Sequence, residues 1–314
     1  MVVAFVALPA SGGTSSAHPR VAVFYYPWYG TPGKDGHWLH WNQNGARPPR
    51  DLASQFYPAR GAYSSGDPRV VGAQMTEIAD TGIGEIVVSW WGRGSTEDAR
   101  LPMVMQAARK RGLEVAIHLE PYDGRSIAST ADDIDYLRGL GVRDFFVYDP
   151  FALADSGWAG LNRGLDGVRM FAETAFVTRA AEDGFDGVYT YDVLYFRGFE
   201  RLCAAARRQA MLCAPSVGPG FDGRRAANIH RTRRRWAGST YDRLWRAAIQ
   251  AQPDLVTITS YNEWHEGTQI EPARSIASLG GRRYETYDGA WGMHGRAAGN
   301  AYLIRTAHWV HRFH

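Results

Sequence analysis

The stretch SYNEWHEGTQIEPA, residues 260–273, sets two carboxylates, Glu263 and Glu266, three positions apart, with Trp264 and His265 between them and Glu271 close behind. It follows the strongly apolar run LVTITS. A solvated loop has little need of a tryptophan, and a hydrophobic core has little use for three glutamates. Two like charges this close raise one another's pKa and cost stability unless a function requires them. Such a pair beside aromatic rings suits glycoside hydrolysis, in which one acid protonates the departing oxygen while a second carboxylate attacks, stabilises or deprotonates. The surroundings can hold one glutamate protonated while the other stays ionised. No GxSxG elbow, phosphate-binding loop or GxGxxG turn after a strand offers a competing chemistry. His37, His40, His118 and His265 show no HExxH or comparable ligand spacing, so neither a metal nor another cofactor is expected.

Composition agrees with a sugar-handling surface. The 314 residues include 11 Trp and 16 Tyr, more than a core of this size requires. Sugar clefts use such rings as flat apolar platforms with a polar rim. A formal charge of +3 is small for the length and gives no reason to expect nucleic acid as a partner. The densest basic run, HRTRRRW at 230–236, reads as a solvated loop or a helix start. No apolar run approaches membrane-spanning length, so no integral membrane association is expected. Residues 1–18 are apolar and then rich in small residues, like a signal peptide without its positive start, and are expected to be a disordered tail or a signal remnant. A secreted or periplasmic location is the corresponding expectation. Cys203 lies in a helical pattern and Cys213 in a strand pattern, and the two are expected to be separate buried small hydrophobes rather than a bridge.

The elements that must carry the glutamates alternate. Eight β-rich runs stand at 21–26, 85–90, 114–119, 145–149, 170–176, 187–191, 210–216 and 255–260, with amphipathic segments such as 67–82, 103–112, 199–209, 241–252 and 297–313 around them. Eight strands alternating with helices predict a single α/β domain over residues 19–314, a (β/α)8 TIM-type barrel with elaborated loops at its C-terminal face. Active sites of such barrels lie at the C-terminal ends of the strands. The segments beyond the strand ends are rich in chemistry: YYPWYG (25–30), GHWLHWN (36–42), WWGRGSTED (90–98), LEPYDGR (119–125), YTYD (189–192), SVGPGFDGRR (216–225) and YNEWHEGTQIE (261–271). Glu263 and Glu266 are therefore expected to face each other across a cleft at the mouth of the eighth strand. Two features have plainer readings as well: Glu120 as an ion-pair partner for a rim arginine, and YYPWYG as an aromatic plug.

As a set, the stretches FYYPWYG, HWLHWN, FYPARGAYSSGDP, SWWGRGSTED, HLEPYDGR, GFDGVYTY, PSVGPGFDGR and ITSYNEWHEGTQIEPA resemble the endo-α-1,2-mannosidase/mannanase family, glycoside hydrolase family 99, in unbroken order from about residue 21 to 273. The resemblance implies a (β/α)8 barrel that cleaves inside α-mannoside chains with retention of configuration. It assigns the general acid/base to Glu266. It gives Glu263 the task of deprotonating the sugar's own 2-hydroxyl, closing a 1,2-anhydro intermediate. Glu120 matches an acid lining the cleft. Tyr29, His40, Asn42, Tyr191 and Asn262, with Trp41 and Arg224 of the same stretches, fall in motifs expected to contact sugars. Trp91 stands where bacterial members carry tryptophan and mammalian ones tyrosine, which implies mannose rather than glucose in the adjoining subsite. The expected partner is an α-mannoside oligosaccharide or polysaccharide, and the expected state a monomer. The stretch 149–170 is short for the family, so a loop over the cleft is expected to be trimmed. Two other readings stay open: a glycosyltransferase-like relative of the same barrel group, and a non-catalytic glycan-binding module.

Overall fold

The computed structural model describes residues 21–153, 157–194 and 198–313; the segment 1–18, expected to be a tail or signal remnant, lies outside them. The strands are β1 (Val21–Tyr25), β2 (Glu85–Trp90), β3 (Glu114–Leu119), β4 (Asp144–Val147), β5 (Arg169–Glu173), β6 (Gly187–Tyr189), β7 (Leu212–Ala214), β8 (Ser216–Val217), the ribbon β9 (Phe221–Asp222) and β10 (Thr232–Arg233), β11 (Val256–Ile258), and a second ribbon β12 (Ser278–Leu279) and β13 (Arg282–Arg283). Helices α1 (Pro32–Asp35), α2 (Pro68–Asp80), α3 (Thr96–Arg109), α4 (Ile127–Gly139), α5 (Trp158–Arg163), α6 (Val177–Glu182), α7 (Phe199–Arg208), α8 (Ser239–Gln250), α9 (Gly295–Ala298) and α10 (Ala301–Phe313) alternate with them.

Strands β1 to β7 pair in chain order and in parallel, and β11 pairs with β1 on one side and β8 on the other. Pro215 divides the seventh predicted run. It has no N–H to give, so the ladder breaks there. Leu212–Ala214 bonds to β6, and Ser216–Val217 bonds to β11. The two short pieces together close the barrel. Helix α3 begins earlier than its sequence pattern predicts, because Ser95 caps it by accepting from Asp98 N–H, and Pro102 is carried inside it.

Strand alternation sorts side chains into two cores. Val21, Val23, Tyr25, Ile86, Val88 and Ile117 face outward and join the helices in the larger cluster. Ala22, Phe24, Tyr26, Val87, Ala116, Phe146, Phe171, Tyr189 and Ala214 fill the barrel. Phe146 and Phe171 stack there at 4.7 Å. A Cβ on Gly187 would stand 2.5 Å from the Phe171 ring, so only glycine admits that stack. Beneath this aromatic layer, Glu85, Glu114 and Asp144 gather at the N-terminal end, with Arg169 paired to Asp144. Above it the same parity continues into polar groups, and these form the mouth. No helix among the described residues is long and apolar enough to cross a membrane.

Candidate active site

The loop after β11 folds back on itself. Ser260 N–H donates to Thr268 O at 3.0 Å, Ile270 N–H to Ser260 O at 2.9 Å and Glu271 N–H to Tyr261 O at 2.8 Å. Asn262 ties the loop to the end of β1: its Oδ1 accepts from Tyr26 N–H at 2.7 Å and its Nδ2 donates to Tyr26 O at 2.9 Å. Gly267, at φ +63°, makes the tight return. Trp264 and Glu271, which look out of place in the sequence, brace the loop from behind. Trp264 Nε1 donates to Glu271 Oε2 at 2.7 Å, and the same carboxylate accepts from Tyr63, Gln74 and Arg60. A buried carboxylate is tolerated when every oxygen is satisfied in this way. Arg235, from the basic run, donates to Gly267 O at 2.9 Å and Gln269 O at 2.7 Å while its guanidinium lies over the rings of Phe56, Tyr287 and Tyr302. That run is therefore only partly the solvated loop its composition predicts.

Held in this frame, Glu263 and Glu266 rise from one turn at the C-terminal mouth rather than from opposing walls. Glu263 Oε1 accepts from the backbone N–H groups of His265 at 2.8 Å and Glu266 at 3.2 Å. Its Oε2 is buried and accepts no hydrogen bond among the described residues. Burial first, and then the charge of Glu266, hold the Glu263 carboxyl well above the usual range, while the two backbone donors pull the other way. Glu266 is half-buried. Burial pushes it up to about 7 against the hydroxyl of Tyr191, with Glu120 and Asp192 adding to the rise. Tyr191 O–H donates to Glu266 Oε2 at 3.4 Å and lies 2.5 Å from the hydroxyl of Tyr26. Burial raises both phenols, so they stay protonated donors. The pair shares protons rather than carrying two full charges.

Alternation along β2 and β3 supplies the opposite wall. Ser89 O–H donates to Glu120 Oε1 at 2.7 Å, and Trp91 Nε1–H donates to Ser89 Oγ at 3.1 Å. His118 Nδ1 lies 2.9 Å from the same Glu120 oxygen, without hydrogen-bond geometry. The His118 ring stacks on Tyr191 at 5.5 Å, and its Nε2 lies 2.8 Å from the Tyr189 hydroxyl. Glu120 thus has a serine and a histidine as partners, and no arginine among the described residues. Trp91 is 37% exposed, a ring offered to the cleft.

The remaining predicted site residues divide. His40 is half-buried, stacked on Trp28 at 4.5 Å and on His265 at 5.4 Å. Burial lowers His40 to about 3 and His265 to about 4, so both rings are neutral. Asn42 is exposed beside them. Tyr29, Trp41 and Asn262 are wholly buried and work from behind. Tyr29 O–H donates to Asn262 O and accepts from Trp264 N–H, and Trp41 stacks on Tyr29 at 4.1 Å with its Nε1 given to Tyr63 O. Tyr29, in YYPWYG, packs as the aromatic-plug reading of that stretch expects, and Trp41 and Asn262 are buried with it behind the turn. Arg224 pairs with Asp222, whose N–H donates to Glu266 O at 2.6 Å, so it reaches the turn only through that strand. Tyr26, Trp28, Ser89, Tyr148 and Glu173 are not among the site residues expected from the motifs, yet each continues the inward parity of its strand past the barrel edge. Burial, mainly, raises Glu173, and it adds a further acid on the β5 side.

The arrangement provides a proton donor poised near neutrality, a buried carboxylate with one oxygen unengaged, and aromatic and hydroxyl-bearing walls. Residues 17–314 match the model of glycosyl hydrolase family 99. A human glycoprotein endo-alpha-1,2-mannosidase-like protein is 31% identical, covering 84% of this chain and 71% of that protein. The rat glycoprotein endo-alpha-1,2-mannosidase is 32% identical, covering 81% and 68%. Among solved structures, a GH99 endo-alpha-mannosidase from Bacteroides thetaiotaomicron superposes with a TM-score of 0.83 at 29% identity, covering 94% of this chain and 97% of that one. The chain belongs to glycosyl hydrolase family 99 and is a glycoside hydrolase acting on mannosides.

Proposed function

We propose that the protein cleaves internal α-1,2-mannosidic linkages of mannan or high-mannose glycans with retention, using the substrate's 2-hydroxyl as nucleophile. The observation that carries this reading is the buried, unengaged Oε2 of Glu263 beside the half-buried, elevated Glu266. A carboxylate that attacked carbon would have to reach C1, which the axial O2 of mannose obstructs. A carboxylate oxygen awaiting a hydroxyl donor needs only to accept a proton. In the first step Glu263 takes the proton of O2, O2 closes on C1, the C1–O bond to the leaving sugar breaks, and Glu266 gives its proton to that oxygen. In the second, Glu266 takes a proton from water, the water oxygen bonds C1, the C1–O2 bond opens, and Glu263 returns the proton to O2. Two displacements at C1 leave its configuration unchanged.

The two backbone N–H groups on Glu263 Oε1 favour its ionised form, and a 2-hydroxyl on Oε2 would favour it further. Bound substrate would thereby drive the shared proton onto Glu266, where the first step needs it. The test uses a tetramannoside whose cleaved linkage is α-1,2 and whose sugar at the cleaved C1 is extended through O3, leaving its 2-hydroxyl free, and the analogue lacking that 2-hydroxyl, followed by proton NMR of the first-formed anomer. The expected outcome is an α-configured product from the parent and no turnover of the analogue. A β-configured first product, or comparable turnover of the analogue, overturns the reading.

A further inference from the structure

A cavity of about 910 Å³ opens between α7, α8 and β10. Four arginines line it, Arg201, Arg233, Arg234 and Arg243, against the single carboxylate of Glu200. Arg201, Arg234 and Arg243 are exposed, and none of the three is within ion-pair distance of a carboxylate among the described residues. Trp236, 62% exposed, forms part of the rim, with the Arg234 guanidinium 5.5 Å from its ring. Trp236 and Ala237 both sit at positive φ, 48° and 49°, a conformation that costs non-glycine residues energy and persists where the surroundings impose it. The first turn of α7 also lines the cavity, which adds the positive end of one helix dipole to the guanidinium charges, while α8 lies along the cavity from Thr240 to Gln250.

The site is built on a firm wall and leads toward the chemistry. Cys203 on α7 and Cys213 on β7 form a disulfide, so the sequence expectation of two separate thiols is overturned and the helix is pinned to the barrel. The β10 residues of the cavity, with Trp236, also line a smaller cavity of about 330 Å³ that reaches Asp222 of β9 and Gly267 of the catalytic turn.

We propose that this groove is a secondary saccharide site for mannan units that carry an anionic group, phosphate or carboxylate, with the sugar ring on Trp236 and the anion among the arginines. Guanidinium forks match both anions bidentately, and an exposed indole face suits the apolar face of a pyranose. A neutral mannan would leave Arg201, Arg234 and Arg243 without an anionic partner, and a bare anion would leave Trp236 uncovered.

The experiment measures binding in the full chain carrying Glu266→Gln, so that substrate is not consumed and the catalytic proposal is not being tested. Affinity electrophoresis and calorimetry compare a neutral α-mannan, the same mannan bearing phosphate groups, the same mannan oxidised to carry carboxylates, and inorganic phosphate. The expected result is at least tenfold tighter binding of one or both charged mannans than of the neutral polymer. That advantage should be lost in Arg234→Ser/Arg243→Ser and in Trp236→Ala, and reduced by raising salt. With the native glutamate restored, both variants should keep wild-type kcat/KM on a short neutral mannoside, which also reports that they fold. Preference for phosphate or for carboxylate identifies the source of the charge. Equal binding of charged and neutral mannans, charged-mannan binding unchanged in the variants, or inorganic phosphate binding as tightly as the charged polymer overturns the proposal.

Discussion

Glu266→Gln should stabilise the protein at alkaline pH while it removes activity. Burial raises the Glu266 carboxyl from the ordinary 4.5 to about 7. A carboxyl whose folded pKa lies above its unfolded one favours the fold when protonated. Its contribution is complete below about 4.5 and is lost as pH rises through about 7. At pH 8 the folded chain must hold a charge that burial penalises, and each pKa unit corresponds to about 1.4 kcal/mol. The full shift would give roughly 3 kcal/mol, and partial exposure in the cleft screens it to about 1–3 kcal/mol. Glutamine keeps the shape and an acceptor for Tyr191, and has no charge to bury. For a chain of 314 residues the gain corresponds to roughly 1.5–4.5 °C in Tm. Calorimetric melting of wild type and variant at pH 4.5, 6, 7 and 8.5 should show curves that nearly coincide at pH 4.5, separate between pH 4.5 and about 7, and keep a constant gap above that, with the variant higher. A variant that melts at or below the wild type at pH 8.5 would refute the claim that Glu266 is held in an environment hostile to its charge.

The same elevation sets activity. On glycans with unactivated leaving groups, kcat/KM should fall as pH rises through about 7, because Glu266 must be protonated to serve as acid; a flat profile from pH 6 to 9 would remove it from that role. Trp91→Tyr should move the preference in the adjoining subsite from mannose toward glucose by about 1–3 kcal/mol without abolishing turnover, read as the ratio of kcat/KM on the two oligosaccharides, and an unchanged ratio removes Trp91 as selector. Cys203→Ala/Cys213→Ala opens a link across a sequence separation of 10 and should cost roughly 2–3 kcal/mol of stability by the loop-closure rule, with kcat on a short neutral mannoside unchanged; denaturant unfolding and initial rates check both halves.

The strands are legible in the sequence because parallel barrel strands are buried on both faces and read as apolar runs of the right length. Their ends are less so. Run 210–216 contains Pro215, which splits it between two neighbours, and run 255–260 ends at Ile258 because Thr259 and Ser260 already belong to the catalytic turn. The glutamate pair stands out by composition alone. Its supports do not, because a motif marks residues that hold a loop as firmly as those that touch a sugar, and Tyr29, Trp41 and Asn262 are buried and bonded within the loop's frame. Parity is the stronger signal for the walls. Counting by twos along β1, β2 and β3 from Phe24, Val87 and Ala116 reaches Tyr26, Ser89, His118 and Glu120 at the mouth. The disulfide is not readable, since nothing local says that Cys203 on α7 packs against Cys213 on the strand after it. Arg235 is hidden in a run whose neighbours are solvated, and only the tertiary fold places its guanidinium under the turn.

The division of labour between the two glutamates is tested most directly by comparing Glu266→Gln and Glu263→Gln on two mannosides that share the same sugar at the cleaved bond, one with a sugar leaving group and one with a leaving group that needs no proton. Glu266→Gln should lose roughly 10²–10⁴ in kcat/KM on the first and far less on the second, whereas Glu263→Gln should lose heavily on both because the 2-hydroxyl can no longer be deprotonated. Equal losses of Glu266→Gln on the two substrates, or recovery of Glu263→Gln on the activated one, would contradict that division.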